Sequence, residues 1–281
     1  MSNKRSKQKD ICLASIPLGG ARALFDQGLT IIHPYFGEEK RFNFMYDKYW
    51  TAYSEKIRRK LQVILVDDCG TPPIHTLLNN RDCNFNLTIY RIIDDLKYNT
   101  PGALNVGSVE AKTDFIFHMD SDCALEEDML DTLMQQAPLH GWMYKFRRNR
   151  ITENPDRKRL TRYLPCANLL HKDLFTVVRG FDEDFTGSRS GGYGFFDNHF
   201  DYKILKAGFK RAVIDGIIVT EYMESLVDDA KPVGPLGVGV HRTDTDNETN
   251  RYLYRRKQSS PELENPEILR FTYEKVYERI I

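Results

Sequence analysis

Two aspartates one residue apart, Asp120 and Asp122 in the stretch FIFHMDSD, are the residues of this chain best placed by type and spacing to do chemistry. They follow a short apolar run, Phe115-Ile116-Phe117, whose lack of polar alternation predicts a strand buried on both faces. Carboxylates at the carboxyl end of a central strand stand where open α/β sheets hold their ligands. Oxygen donors in that position suit a hard divalent cation, Mn²⁺ or Mg²⁺, which can in turn hold a diphosphate. A solvated Asp-rich turn would carry the same residues, so the surrounding elements must decide. A second acidic pair, Asp67-Asp68, ends another apolar run, QVILVDD. The Gly-rich LGGARA of residues 18–23 lacks the spacing and the Lys of a phosphate-cradling loop and reads as a turn.

The elements that must position these groups alternate. Leu29–Phe36 reads as the first convincing strand, and Glu39–Lys60 carries Phe44, Tyr49, Tyr53 and Ile57 at near-helical spacing. Gln62–Asp68 is a second strand, Leu87–Ile93 a third, Pro101–Ala111 a helix, and Asp114–Asp120 the strand before the acidic pair. Strands alternating with helices imply right-handed crossovers and a largely parallel sheet. Beyond Asp122, EEDMLDTLMQQA reads as a helix with acids in its first turn, and Gly141–Phe146 as a strand. The basic stretch 147–162 reads as a loop or exposed hairpin, a solvated charge run rather than an anion-facing surface. A Gly-rich turn at 187–196 leads into the helix DNHFDYKILKAG, and Phe209–Thr220 reads as a strand. Residues 229–250 read as a long loop, and Pro266–Ile281 spaces Ile268, Phe271, Val276 and Tyr277 like a docking helix.

A chain of 281 residues is long enough to bury a substantial core. Its 40 basic and 40 acidic side chains balance, which argues against nucleic acid as a partner. Cys12, Cys69, Cys83, Cys123 and Cys166 are scattered and form no C-x-x-C pair, so neither a cysteine zinc site nor a disulfide framework is expected. No apolar run is long enough to span a membrane, and ICLASIPLGG after the basic lead is a poor signal peptide. The expectation is a soluble, cytoplasmic protein. The many aromatics suit a globular protein with a sugar-stacking cleft.

Taken together, LTIIHPYF, VILVDDCGT, ALNVGSVEAKTDFIFHMDSD, VVRGFDEDF and GGYGFFDNHFDYKILKAGFK resemble the GT-A-fold nucleotide-sugar glycosyltransferases of family two, over about two thirds of the chain. That resemblance implies an α/β, Rossmann-like fold with a mostly parallel central sheet flanked by helices, a smaller acceptor-side region and a C-terminal helix. It divides the chain into a lead (1–28), a nucleotide-sugar-binding half (29–138), an acceptor-binding and catalytic half (139–250) and a C-terminal helical segment (251–281). It implies that Asp120 and Asp122 bind the metal, that Asp120 and Ser121 hold the donor, and that Pro34, Tyr35, Asp67, Asp68 and Asn105 contribute to the nucleotide site. In the family's late motif two acids follow a Gly/aromatic turn, the second serving as base. Here the pair is Phe196-Asp197, so Asp197 alone carries that role. His241 corresponds to the late-loop histidine that many such enzymes add to the metal.

The implied activity is metal-dependent transfer of a sugar from a nucleoside diphosphate sugar, UDP favoured, to a hydroxyl of a glycan or other acceptor, with inversion. Charge on the departing diphosphate calls for the cation, and a weak hydroxyl nucleophile calls for a carboxylate base. A nucleotidyltransferase is the competing enzyme, but it needs a basic Gly-rich loop after the first strand, where HPYFGEEK stands instead. A non-catalytic nucleotide-sugar or carbohydrate-binding module is the other alternative, favoured by the missing acid before Asp197. The helix-capping role open to any Asp at a helix start competes with catalysis at Asp197 itself.

Overall fold

The computed structural model describes residues 11–13, 23–79, 81–151, 159–161, 163, 166–222 and 244–281. Among these residues eleven strands join into one sheet. They are β1 (Ile11–Leu13), β2 (Leu29–Tyr35), β3 (Leu61–Asp68), β4 (Asn86–Ile92), β5 (Phe115–His118), β6 (Cys123–Ala124), β7 (Trp142–Ile151), β8 (Arg159–Thr161), β9 (Asn168–His171), β10 (Lys210–Tyr222) and β11 (Tyr273–Arg279). The order across the sheet is β1-β10-β7-β9-β5-β2-β3-β4-β11, with β6 paired to β10 and β8 to β7. The β5-β2-β3-β4 block is parallel, as is β1-β10-β7, while β9 runs antiparallel to both of its neighbours. This is the mostly parallel, helix-flanked α/β plan expected from the alternation of elements.

All eight residues of β3 are buried, as its unbroken apolar run requires of a central parallel strand. One face of the sheet packs Phe42, Met45, Tyr46, Tyr49 and Trp50 against β2 and β3. The other receives the helix Thr100–Glu110 and the aromatic cluster Phe175, Phe181, Phe185 and Phe200. That helix lies so close to β2 that a Cβ on Gly107 would stand 2.3 Å from Ile32 Cγ2, so no larger residue fits there. Pairing of β2 with β5 stops at Ile32 and His118, and β2 continues through Pro34, which has no N–H to offer. The sheet therefore opens between the carboxyl ends of β2 and β5, and the chain after β5 carries Asp120 and Asp122 into that opening.

Three expectations change. Pro266–Ile281 is no helix: its Tyr273–Arg279 section is the edge strand β11, antiparallel to β4. Tyr273 and Tyr90 pack edge to face and both donate to the Glu110 carboxylate, so cross-strand aromatics and the need to cover the edge of β4 outweigh a helical period. The stretch Glu39–Lys60 is broken into the helix Glu39–Met45, a wide turn Tyr46–Trp50 and the short helix Glu55–Arg58. Of the loop expected over 229–250, residues from Asp244 on form the helix Asp244–Ser259, and 223–243 lie outside the described residues. That helix is docked by Asn250, whose amide donates to Phe185 O and Gly194 O, and by buried Lys257, which pairs with Asp182 and Asp184. No helix among the described residues is long and apolar enough to cross a membrane.

Candidate active site

At the carboxyl ends of β2, β3 and β5 lies a cavity of about 490 Å³, a volume within the range of small-molecule sites. Pro34, Tyr35, Asp68, Asp120, Ser121, Asp122 and Asp197 all line it. Residues separated by up to 163 positions in the chain thus meet around one space, the arrangement expected at the switch point of an open α/β sheet.

Burial and the charge of Asp122 push the Asp120 carboxyl well above its ordinary range, while a 2.6 Å hydrogen bond from the Cys166 thiol to Asp120 Oδ2 works the other way. Asp122 is also raised by burial and held back chiefly by the Arg41 guanidinium. Arg41 donates to Ser121 Oγ and to Glu38 Oε1, each at 2.8 Å, which fixes the loop between the two aspartates. Two desolvated carboxylates held side by side, with more acid nearby, form a donor set of oxygens that a hard divalent cation fits and relieves. His241 lies outside the described residues, so its place relative to this pair is not described.

The two acids that end β3 separate sharply. Asp67 is fully buried and saturated: it accepts from Gly70 N at 2.7 Å and Ile74 N at 3.1 Å, and it pairs with Arg91. It does not line the cavity. Asp68 does, and its Oδ2 accepts from Asn99 N while Oδ1 has no hydrogen-bond partner among the described residues. Burial lifts the Asp68 carboxyl from 3.8 to about 8. Asn105 likewise lies outside the cavity, and its amide is consumed by Phe181 O, Phe181 N and Glu183 Oε1. It ties the helix before β5 to the GFDED turn, and Gly180 (φ 58°) passes so near that a Cβ there would lie 2.6 Å from Asn105 Oδ1.

Across the cavity, Asp197 sits in the first turn of the helix Phe196–Lys206. Among the described residues its Oδ1 accepts from the next backbone N–H and from no N–H further into the helix, so it does not cap the helix in the usual way. Burial raises its carboxyl, and the Lys145 ammonium pulls it back. The other acids near it are engaged: Asp201 by Lys145 and Arg211, Asp182 and Asp184 by Lys257, and Glu183 by the backbone of Leu269 and Arg270. Phe196, which stands where the resembled motif has its first acid, is buried against Phe181 as a core residue.

Several lining residues were not anticipated. Glu221 is the next-to-last residue of β10, and its register opposite Cys123 sets it beside Asp122. An acid near the end of a long strand is the signal that also marked Asp68, and it could have been followed here. Arg148 and Arg150 on β7 both bind Glu221, at 3.0 and 2.6 Å, and line the cavity. The basic stretch expected to be a solvated charge run therefore contributes part of the wall, because β7 extends to Ile151 alongside β10 instead of ending at Phe146. Tyr98 and Phe195, both at positive φ (50° and 63°), complete the rim with Tyr193.

No family model and no curated protein sequence matches the chain. Solved structures do. GalNAc-T7 with UDP, GalNAc and Mn²⁺ is 11% identical with a TM-score of 0.52, over 70% of this chain and 44% of that one. The mannosyltransferase PcManGT of Pyrobaculum calidifontis, with GDP-Man and Mn²⁺, is 17% identical with a TM-score of 0.50, over 69% of this chain and 56% of that one. TarS (1–349) of S. aureus with UDP-GlcNAc is 14% identical with a TM-score of 0.51, over 70% and 58%. The chain spans about half the length of these proteins. At such identities the likeness establishes the fold, which is the GT-A fold.

Proposed function

We propose that the protein is a metal-dependent glycosyltransferase that moves a sugar from a nucleoside diphosphate sugar, UDP favoured, to a hydroxyl of a glycan or other acceptor with inversion at the anomeric carbon. The observation that carries this reading is that Asp120, Asp122, Asp68 and Asp197 line a single cavity at the carboxyl edge of the sheet. The GT-A fold supports it, as do the ligands named with the similar structures, UDP, UDP-GlcNAc or GDP-Man and, in two of them, Mn²⁺.

Asp68 Oδ1 is a buried polar atom with no hydrogen-bond partner among the described residues, and the edge of uracil, with its N3–H donor and carbonyl acceptors, would satisfy it whether the carboxyl is ionised or protonated. Pro34 and Tyr35 bound the same end of the cavity. Asp120 and Asp122, with His241 as a further candidate, would hold Mn²⁺ or Mg²⁺, which when bound neutralises charge on the diphosphate. Arg41 orients Ser121 and so the loop that presents both carboxylates. Asp197 takes the proton of the acceptor hydroxyl as it attacks; burial makes it a stronger base than a solvated carboxylate, and Lys145 keeps it ionised. Asp67 and Asn105 act at one remove, by fixing the β3 turn and the helix before β5. In this scheme residues 29–138 hold the donor and 139–250 the acceptor.

Hydrolysis and transfer assays with a panel of UDP- and GDP-sugars, with and without Mn²⁺, test the proposal. Metal-dependent release of the nucleoside diphosphate, with an inverted product anomer by NMR, is the expected result. No turnover and no thermal shift with any donor would overturn it.

A further inference from the structure

His140, His171 and Asp173 form a cluster apart from the cavity. His171 closes β9 and pairs in register with Phe115, the first residue of β5. The aspartate pair follows the other end of β5, so about five residues of extended chain, roughly 16 Å, separate the two places.

We propose that these three side chains bind a zinc ion, which staples the connection before β7 to the junction between β9 and the helix Lys172–Val177. One ligand atom from each residue lies within 4.8 Å of the other two. Two imidazoles and a carboxylate are the donor set of three-ligand zinc sites, and imidazole nitrogen selects zinc over the hard cations that suit Asp120 and Asp122. The N–H of Asp173 donates to His171 Nδ1, so that nitrogen is the unprotonated one, and zinc would take over the lone pair that this N–H now occupies. Asp173 Oδ2 stands 3.3 Å from it, the separation of two ligands in a tetrahedral shell with bonds of about 2.1 Å.

The His140 and His171 rings lie 3.9 Å apart at 34°. For both to reach one ion the centroids must spread by roughly 1 Å, given bonds of about 2.1 Å. His171 is buried edge-on against Phe115, whereas His140 is exposed and has no hydrogen bond among the described residues, so it is the ring that moves. Helix capping explains why His171 meets Asp173. It does not explain why an imidazole from a different connection is laid across the same point.

The test uses the full chain without a histidine tag, in an Asp120→Ala/Asp122→Ala background that removes the cavity carboxylates. Equilibrium dialysis against ZnCl₂ should show a single zinc per chain, and Co²⁺ in its place should give the visible absorption of a tetrahedral site. His140→Ala, a change at an exposed ring outside the buried core, should weaken binding by at least about tenfold, since even outer-shell changes lower metal affinity by that much. Zinc should also raise the melting temperature of the parent and not of His140→Ala. Absence of zinc uptake in the cavity-deficient chain, or equal affinity with His140→Ala, overturns the proposal.

Discussion

Replacing Asp68 by Asn separates what this residue does for the ligand from what it does to the fold. Burial first, and the neighbouring Asp67 charge after it, raise its carboxyl from 3.8 to about 8, against the pull of the Asn99 N–H. A group that binds its proton more tightly folded than unfolded makes stability fall as pH rises between those two values. At pH 7 the loss spans about 3 units, or about 4 kcal/mol at 1.36 kcal/mol per unit. Asn keeps an oxygen for the 3.1 Å bond from Asn99 N and carries no charge. Seating its extra N–H donors costs about 1–3 kcal/mol, which leaves a net gain of roughly 1–3 kcal/mol at pH 7. That seating cost is independent of pH, so urea denaturation at pH 5 and pH 7 isolates the electrostatic part. The advantage of Asp68→Asn should grow by roughly 3 kcal/mol between them, two units' worth. Calorimetry should show weakened UDP binding by the same variant, a gain in stability set against a loss in ligand affinity. A stability difference flat with pH, or UDP affinity equal to that of the parent, refutes the reasoning.

Asp67→Ala should instead destabilise by about 3–5 kcal/mol, because it leaves Arg91 and two backbone N–H groups without their partner; denaturant midpoints will read it, and a loss under about 1 kcal/mol would contradict the structural role. Asp122→Ala should abolish Mn²⁺-dependent UDP binding in calorimetry while the thermal midpoint holds, and retained binding would remove Asp122 from the metal site. Asp197→Asn should bind donor and metal normally but transfer sugar about 10²–10⁴-fold more slowly, measured as single-turnover rates; normal transfer ends its assignment as base. His199, held neutral by burial with its pKa lowered from 6.5 to about 3, should withdraw about 2 kcal/mol of stability as pH falls from 6.5 to 5. His199→Phe should flatten that part of the pH–stability curve, and an unchanged slope would exclude His199 as its source.

The sequence by itself determined the order of the strands β2 to β5 and the helix before β5, because apolar runs with polar stops are written locally, but it showed neither β1 nor the break within Glu39–Lys60. It also placed Asp120, Asp122, Asp68 and Asp197 at the ends of elements, where the carboxyl edge of a parallel sheet makes acids available. What it could not distinguish was one neighbouring acid from the next: Asp67 and Asp68 alternate in side-chain direction, and only the paired sheet sends one to Arg91 and the other to the cavity. Asn105 likewise reads as a site residue until the turn around Phe181 and Glu183, some 76 positions away, is seen to use all of its amide. Glu221, Arg148 and Arg150 entered the wall through the register of β7 with β10, a long-range pairing that no local pattern encodes. The C-terminal strand was missed for the same reason: TYEKVYER can satisfy either period, and the open edge of β4 decided which one it adopted.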